Sequence, residues 1–205
     1  MQQAFSALWI LLAMALYGLQ HSFLASRRLK DWLRSRLGAA FMERYYRLVF
    51  NVLGGLTFLP VLVLLVLLPD ETIYSLPAPW SLLFRLGQLA AALLIAAAVV
   101  QTGALDFLGL RQAADPDAPP PRLVTNGFYG WVRHPLYTFS ILVLWLNPVM
   151  TWNWAAFSLG STLYFYVGAL FEERKLRAYF GEAYEAYRER TPMLVPGRFP
   201  KKVQK

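Results

Sequence analysis

The sequence has no cysteine, and its 205 residues include only two histidines, His21 and His134. A disulfide framework, a cysteine-ligated metal site and a thiol nucleophile are therefore excluded. Two histidines are also too few for a histidine-rich metal site. Any demanding chemistry would have to come from a bound small molecule, or from carboxylates, arginines and tyrosines.

Charged residues are scarce as well. They make up 16% of the chain, against about 25% in ordinary globular domains, while 57% of the residues are hydrophobic. A helix needs about 20 apolar residues to cross a hydrocarbon core of roughly 30 Å, and several segments are long enough. A soluble fold would leave large apolar faces in water. The composition therefore predicts an all-α integral membrane protein.

Five apolar segments can be placed as membrane helices. They cover residues 4–24, 47–68, 81–101, 136–150 and 154–171. The first lacks the basic start and the small-residue cleavage site of a signal peptide, so we expect it to be retained. Asn147-Pro148 separates the last two segments, and such a pair is typical of a turn at the membrane interface. These two helices are therefore predicted to form a tight hairpin.

The basic residues predict the orientation. The loop after the first helix, the third loop and the C-terminal tail carry lysine and arginine, whereas the second loop carries Asp70 and Glu71. Basic loops stay in the cytoplasm. We therefore expect a multi-pass protein of the cell inner membrane with its N-terminus outside and its C-terminus inside. The net charge of +8 then indicates contact with anionic membrane lipids and not with nucleic acid.

A polar connector at 111–135 divides the chain. Its Asp-Pro-Asp-Ala-Pro-Pro-Pro run, residues 115–121, excludes a helix and predicts a cytoplasmic loop. Residues 1–110 then hold helices one to three. Residues 111–205 hold the loop, the hairpin and a cytoplasmic C-terminal segment. We expect the two parts to form one integrated domain.

The C-terminal segment has helical periodicity. Leu176, Phe180, Tyr184 and Tyr187 recur at spacings of four, four and three residues. This spacing predicts an amphipathic helix lying at the headgroup level, ended by the prolines that follow.

One group of candidate functional residues precedes the fourth helix. Arg133, His134 and Tyr137 are placed at the cytoplasmic mouth of that helix, and Pro135 fits its first turn. A helix N-terminus beside an arginine attracts a carboxylate or another anion. The alternative is that Arg133 and His134 only anchor the helix on the positively charged side of the membrane.

The second group is Glu172-Glu173, predicted at the cytoplasmic end of the fifth helix. Carboxylates there oppose the helix dipole, and at membrane depth they need partners. The hairpin would bring them close to Arg133, His134 and Tyr137. Two interpretations remain open: a salt bridge that closes the hairpin, or a pocket with both signs of charge that suits a zwitterionic ligand.

These motifs resemble a known family. Arg133-His134-Pro135-x-Tyr137, the Glu172-Glu173 pair and Phe180-Gly181-Glu182-x-Tyr184-x-x-Tyr187 are similar to motifs of the isoprenylcysteine carboxyl methyltransferase and phospholipid methyltransferase superfamily. The resemblance covers roughly residues 122–196.

The resemblance implies a cofactor, S-adenosylmethionine with S-adenosylhomocysteine as product, bound without a metal on the cytoplasmic side. In that family the C-terminal segment caps the cofactor between the last two helices. Arg133 would orient the acceptor, and Tyr137 and Glu173 would complete the catalytic residues. The residues that the resemblance assigns to cofactor binding are Leu123, Val124, Gly127, Tyr129, His134, Pro135, Tyr137, Glu172 and Glu173.

The acceptor is constrained by two further features. The stretch 164–170, just ahead of the acidic pair, lacks the arginines that the eukaryotic isoprenylcysteine enzymes carry there. The N-terminal half, with Gln20-His21-Ser22 and Arg44-Tyr45-Tyr46-Arg47, resembles bacterial thiol methyltransferases and nurim. His21 lines the acceptor side or makes an interhelical hydrogen bond, and Asp106 is equally ambiguous.

The expected function is an S-adenosylmethionine-dependent methyltransferase with a lipophilic or small thiol or carboxyl acceptor. The alternative is a non-catalytic membrane scaffold or accessory protein that retains the same fold. A transporter would be expected to show paired repeats or broken helices, and the sequence has neither.

Overall fold

The computed structural model describes residues 1–115 and 122–197. The proline-rich run that predicts the loop and the last basic residues of the tail lie outside them. Within the described residues the chain is mainly helical, with one two-stranded sheet formed by β1 and β2. The elements are α1 Gln2–Leu24, α2 Arg27–Leu37, α3 Ala39–Leu67, β1 Thr72–Ser75, α4 Trp80–Thr102, α5 Ala104–Leu108, α6 Leu110–Ala114, a 3-10 turn Gly127–Gly130, α7 Pro135–Trp145, β2 Val149–Thr151, α8 Trp152–Phe180 and α9 Glu182–Arg190.

The predicted class, an all-α membrane protein, is confirmed. Among the described residues, α1, α3, α4 and α8 are long and apolar enough to cross a membrane. The fourth predicted segment is shorter than expected, because α7 has 11 residues and is only about 16 Å long. The prediction that the helix continues to residue 150 is wrong. Asn147-Pro148 ends it, and the backbone that follows enters β2.

The ends of two long helices also differ from the predictions. α3 begins at Ala39 and α8 continues to Phe180, because good helix formers extend both beyond their apolar stretches. Glu172 and Glu173 therefore lie two turns before the end of α8, so the prediction that they oppose a helix C-terminus is wrong. Gly181, at φ +56°, then separates α8 from α9. The predicted amphipathic helix is thus divided between two elements.

The first of two compact units contains, among the described residues, 1–73, 103–115 and 150–160. Within it α1 packs against α3, and Ile10, Met14 and Val61 are buried. His21 lies against Gly54, where a Cβ would come 3.4 Å from the imidazole ring, and its Nδ1 is 3.5 Å from the Tyr17 hydroxyl. His21 therefore lies between α1 and α3, but this hydrogen bond to Tyr17 is made within α1. The acceptor-side role and the interhelical hydrogen bond of His21 both stay predictions.

The same unit holds the short helices α5 and α6. Asp106 of α5 accepts a hydrogen bond from Arg111 at 3.1 Å, and its carbonyl accepts one from Arg47 of α3 at 2.7 Å. Asn51 donates to the carbonyls of Phe107 and Leu108, each at 3.0 Å. The Asp106 carbonyl also accepts from the Gly109 N–H at 3.2 Å, and the Asn51 side chain supplies a donor to the last two carbonyls of α5. Asp106 is therefore bonded within this unit, and its functional role stays open.

The second unit contains, among the described residues, 74–102, 122–149 and 161–197. Within it α4 packs along α7, where Gln88 donates to the Val143 carbonyl at 2.9 Å. Trp145 of α7 donates to Thr162 of α8 at 3.0 Å, so the predicted neighbourhood of the last two long segments is confirmed. The division at residue 110 into parts of one integrated domain stays a prediction.

Candidate functional site

The site is built around the start of α7. Pro135 is the first residue of the helix, where its missing N–H needs no acceptor. The N–H groups of Arg133 and His134 donate to the carbonyls of Pro192 and Met193, at 2.9 and 3.1 Å. The Thr138 hydroxyl donates to the Leu194 carbonyl at 2.7 Å. The chain after α9 therefore runs alongside the start of α7, in a strap formed by residues 191–194.

Arg133 is enclosed by acceptors. Its Nε donates to Glu173 at 2.6 Å, and its Nη1 donates to the carbonyls of Arg188, at 3.3 Å, and Thr191. The Arg133 side chain is only 10% exposed. The predicted salt bridge between Arg133 and the acidic pair is therefore present, and the same guanidinium also holds the strap.

Glu173 is the buried carboxylate of the pair. One oxygen, Oε1, accepts hydrogen bonds from Arg133, from the Tyr184 hydroxyl at 2.9 Å and from His134 Nε2, 3.1 Å away. Arg188 approaches the other oxygen at 3.7 Å. A buried charge is tolerated when several donors surround it. The pKa of the Tyr184 phenol is raised by burial first and then by the neighbouring carboxylate.

Glu172 points to a different group of residues, because neighbouring positions on a helix differ by about 100°. Its Oε2 accepts a hydrogen bond from the Tyr137 hydroxyl at 2.9 Å and lies 3.5 Å from His134 Nδ1. The side chain is 45% exposed, against 11% for Glu173. His134 therefore bridges the two carboxylates, and Glu172 is the one with room for a further partner.

Aromatic rings line the Glu172 side. The His134 ring stacks on Tyr137 with centroids 5.5 Å apart and planes 8° apart. Tyr137 stacks in turn on Phe165 of α8 at 5.3 Å. The Tyr129 hydroxyl is close enough to interact electrostatically with the Glu172 carboxylate. Burial, with that charge as a smaller contribution, raises the pKa of Tyr129 to about 12.

The loop before α7 is held from two sides. Gln101, in the last turn of α4, donates to the Asn126 carbonyl at 2.6 Å and accepts from the Phe128 N–H at 3.3 Å. The Tyr187 hydroxyl of α9 donates to the Tyr129 carbonyl at 2.5 Å. Gly127 lies between these anchors at φ +56°.

The structure brings together most of the predicted site residues. Arg133, His134, Tyr137, Glu172 and Glu173 form one hydrogen-bonded cluster, and Tyr129 faces it. Gly127 belongs to the adjoining loop, and Pro135 orients α7. Leu123 and Val124 are half-buried where the loop begins, without a polar contact to the cluster that the described geometry records.

Sequence reasoning missed three contributors. The helical spacing of Tyr184 and Tyr187 predicts only one face of an amphipathic helix, yet their hydroxyls bond to Glu173 and to the loop. Two tyrosines in place of aliphatic residues at adjacent turns were the available signal, since a buried tyrosine needs a partner for its hydroxyl. For Gln101 the signal was weaker, because a single polar side chain in the last turn of an apolar helix is common.

The chain is similar to known methyltransferases. The family described as Phospholipid methyltransferase matches residues 86–183. Methanethiol S-methyltransferase 1 of Bradyrhizobium diazoefficiens is 32% identical over 200 residues, which cover 92% of this chain and 66% of that protein. Methanethiol S-methyltransferase of Crocosphaera subtropica is 31% identical over 195 residues, 89% of this chain and 72% of that protein.

A more distant relative matches part of the chain. Protein-S-isoprenylcysteine O-methyltransferase of Schizosaccharomyces pombe is 34% identical over 77 residues, 36% of this chain and 33% of that protein. No solved structure matches. The chain spans about two thirds of the length of the first relative. Taken with the shared motifs, these matches show that the chain belongs to the isoprenylcysteine carboxyl methyltransferase and phospholipid methyltransferase superfamily of membrane methyltransferases.

Proposed function

We propose that the protein transfers the methyl group of S-adenosylmethionine to a small thiol. The relatives that align with about nine tenths of the chain are named methanethiol S-methyltransferases, which favours a thiol over the carboxyl and phospholipid acceptors of the wider superfamily. The absence of arginine from residues 164–170 agrees, since a carboxylate acceptor would need a cationic partner there.

The single observation that carries the proposal is the contrast between the two adjacent carboxylates. Glu173 has three donors on one oxygen and is buried, so it belongs to the framework. Glu172 is half-exposed beside Tyr137 and Tyr129. A carboxylate with aromatic neighbours suits the ammonium and sulfonium groups of S-adenosylmethionine, because both attract positive charge. Glu172, Tyr129, His134 and Tyr137 would hold the cofactor.

The reaction needs little proton chemistry from the chain. S-Adenosylmethionine supplies a methyl group on a positively charged sulfur. The residues of the site would hold the cofactor and the acceptor close together and exclude water, and these two effects would contribute most of the rate. Tyr129, with its pKa raised to about 12, stays protonated at neutral pH, so it can donate a hydrogen bond but does not act as a general base. A thiolate acceptor requires no general base.

Arg133 is expected from the family resemblance to orient the acceptor. Its described contacts suggest a positioning role instead, because Nε and Nη1 are already engaged by Glu173 and by the carbonyls of Arg188 and Thr191. We propose that Arg133 acts through Glu173 and the strap. Glu173 would then keep His134 in place without touching the cofactor.

We propose five membrane crossings with the site on the cytoplasmic side. α7 is short, but the residues on either side of it reach both ends of α4. Leu76, ahead of α4, donates to the Pro148 carbonyl at 2.9 Å, and Gln101, at the end of α4, bonds to Asn126. Residues 126–148 therefore cover the same depth as α4, a 23-residue helix of spanning length. The basic first loop and tail favour a cytoplasmic C-terminus.

The test is binding of S-adenosylmethionine and S-adenosylhomocysteine to the detergent-solubilised protein, measured by titration calorimetry. We expect wild type to bind both and Glu172→Gln to bind neither, while its thermal unfolding is unchanged. Glu182→Gln, an exposed carboxylate on α9, is the matched control and should bind normally. Absence of binding by wild type would leave the non-catalytic scaffold as the better account.

The acceptor is tested separately with a labelled methyl donor. Methanethiol, a prenylcysteine analogue and a phospholipid are offered in turn, and the methylated product is counted. We expect product with the thiol alone, at a rate that rises with the thiolate fraction as the pH increases. Product with the phospholipid and none with the thiol would contradict the proposed acceptor.

A further inference from the structure

We propose that α2 is a docking surface for anionic phospholipid headgroups. α2 connects α1 to α3, and both of those helices are of spanning length. It is therefore placed at a membrane boundary. The helix carries five basic residues and one acidic residue within 11 positions, and none of its residues is buried. A helix with this charge excess is drawn to an anionic surface.

The side chains of α2 divide into two stripes. Leu29, Lys30 and Leu33 are less exposed than the other residues of the helix, which packs against α3. Arg28, Trp32 and Arg36, four residues apart, form the exposed stripe. The Arg36 guanidinium lies 5.9 Å from the centre of the Trp32 ring, and Trp32 is 56% exposed. Tryptophan flanked by arginine is typical of side chains at headgroup depth.

Other cations of this region are committed to the protein. Arg34 pairs with Glu43 at 3.0 Å, Arg44 donates to the Ala113 carbonyl at 2.8 Å, and Lys30 lies over the Tyr46 ring. For Arg27, Arg28 and Arg36 the described residues provide no ion pair. Phosphate groups are the natural partners of exposed guanidinium groups, because arginine binds their oxygens in a bidentate manner.

The test uses the full chain in bilayers that contain spin-labelled lipids. Protein-bound lipid gives a motionally restricted signal, and the ratio for phosphatidylglycerol over phosphatidylcholine measures the preference. We expect wild type to prefer the anionic lipid. In the triple variant Arg27→Gln/Arg28→Gln/Arg36→Gln, the ratio for phosphatidylglycerol over phosphatidylcholine should be about fivefold lower. The variant with lysine at the same three positions keeps the charge, so it should keep most of the preference for the anionic lipid. High salt should reduce the wild-type preference.

An unchanged lipid preference in the glutamine variant would overturn the proposal that α2 binds anionic headgroups. A lipid preference that falls equally in the lysine variant would also overturn it. Thermal unfolding controls for loss of fold. If the glutamine variant also changed the oligomeric state, a second copy of the chain would be the better occupant.

We also infer that Gln101 is a positioning residue for the loop that carries Gly127 and Tyr129. This inference rests on the proposed function for its catalytic consequence, but its geometry stands by itself. One side chain satisfies both a carbonyl and an N–H of the loop. A Cβ on Gly127 would lie 2.4 Å from Gln101 Nε2, so a side chain at position 127 would displace the amide that holds the loop.

The lack of cysteine makes the loop easy to probe, since a single Thr125→Cys carries a spin label without background. We expect Gln101→Leu to increase the mobility of that label and to weaken S-adenosylmethionine binding about tenfold, with a higher KM and little change in kcat. Gln112→Leu, a glutamine of α6, is the matched control. Unchanged label mobility would overturn the inference whether or not wild type binds the cofactor.

A double variant tests the pair directly. Gly127→Ala should weaken binding through the collision with Gln101 and through the strain of a side chain at φ +56°. In Gln101→Ala with Gly127→Ala the collision is gone, so the combined effect should be smaller than the sum of the single effects. Additive effects would show that the two residues act independently and would contradict the inference. Absence of binding by wild type alone would contradict the proposed function, and label mobility would still decide the role of Gln101.

Discussion

The Tyr184 hydroxyl donates a hydrogen bond to Glu173 at 2.9 Å, and both side chains are buried. Through this bond α9 is attached to α8 across the turn at Gly181. The same oxygen of Glu173 accepts from Arg133. The buried carboxylate therefore connects α8 to α9 and to the start of α7. As a result, α9 packs against the charged cluster.

Removing this hydroxyl should destabilise the protein without a direct effect on the exposed side of the site. In Tyr184→Phe, Glu173 loses one of three donors, and a bond to a charged group contributes about 1.5–3 kcal/mol. We expect a lower melting temperature in detergent. Tyr179→Phe, on an exposed ring, is the control and should melt as wild type does. Equal melting of the two variants would contradict the structural role of the bond.

The two carboxylates of the pair should respond differently to neutralisation. Glu173→Gln leaves the buried Arg133 guanidinium without its counter-charge, a loss of about 3–5 kcal/mol. Glu172→Gln changes a half-exposed side chain and should cost no more than about 1 kcal/mol. Thermal unfolding of both variants, beside cofactor titration, separates the two roles. The reverse order of stabilities would refute the assignment of Glu173 to the framework.

Alkaline pH should destabilise the protein through its buried tyrosines. Burial raises the pKa of Tyr184 and Tyr187 above the ordinary value of about 10. Below pH 10 both states keep the phenolic protons, so these groups add no pH dependence. Above pH 10 the unfolded chain loses protons that the folded chain retains, and stability falls. In Tyr187→Phe the fall in melting temperature between pH 10 and 12 should be shallower.

Gly109 should tolerate no side chain. Its φ is +82°, and a Cβ would lie 2.7 Å from the backbone N of Leu48. Gly109→Ala should therefore lower the free energy of unfolding by more than about 1 kcal/mol. Gly55→Ala is the control within α3, where nothing lies within 4 Å of the added Cβ, and it should stabilise by about 0.5–1 kcal/mol. Equal effects would contradict the close approach of α6 to α3.

Much of the fold was predictable because a bilayer imposes a simple requirement. A helix that crosses it must be apolar over about 20 residues, and hydropathy reports that directly for α1, α3, α4 and α8. The helix ends were not predictable in this way. Residues 39–46 contain Glu43 and Arg44, and residues 172–180 are rich in charge, yet both segments are helical. Helix propensity and tertiary packing continue a helix beyond its apolar stretch. α7 is short because the residues after it leave the helix and pair with the residues ahead of α4.

The candidate site shows the same division. The sequence by itself determined that Arg133, His134, Tyr137, Glu172 and Glu173 would meet, because two neighbouring helices bring their facing ends together. Only the tertiary structure decided which carboxylate is buried. That choice follows from the rotation of about 100° between adjacent helical residues and from Tyr184 and Arg133, which approach α8 on one side only. It leaves Glu172 as the carboxylate beside the aromatic rings.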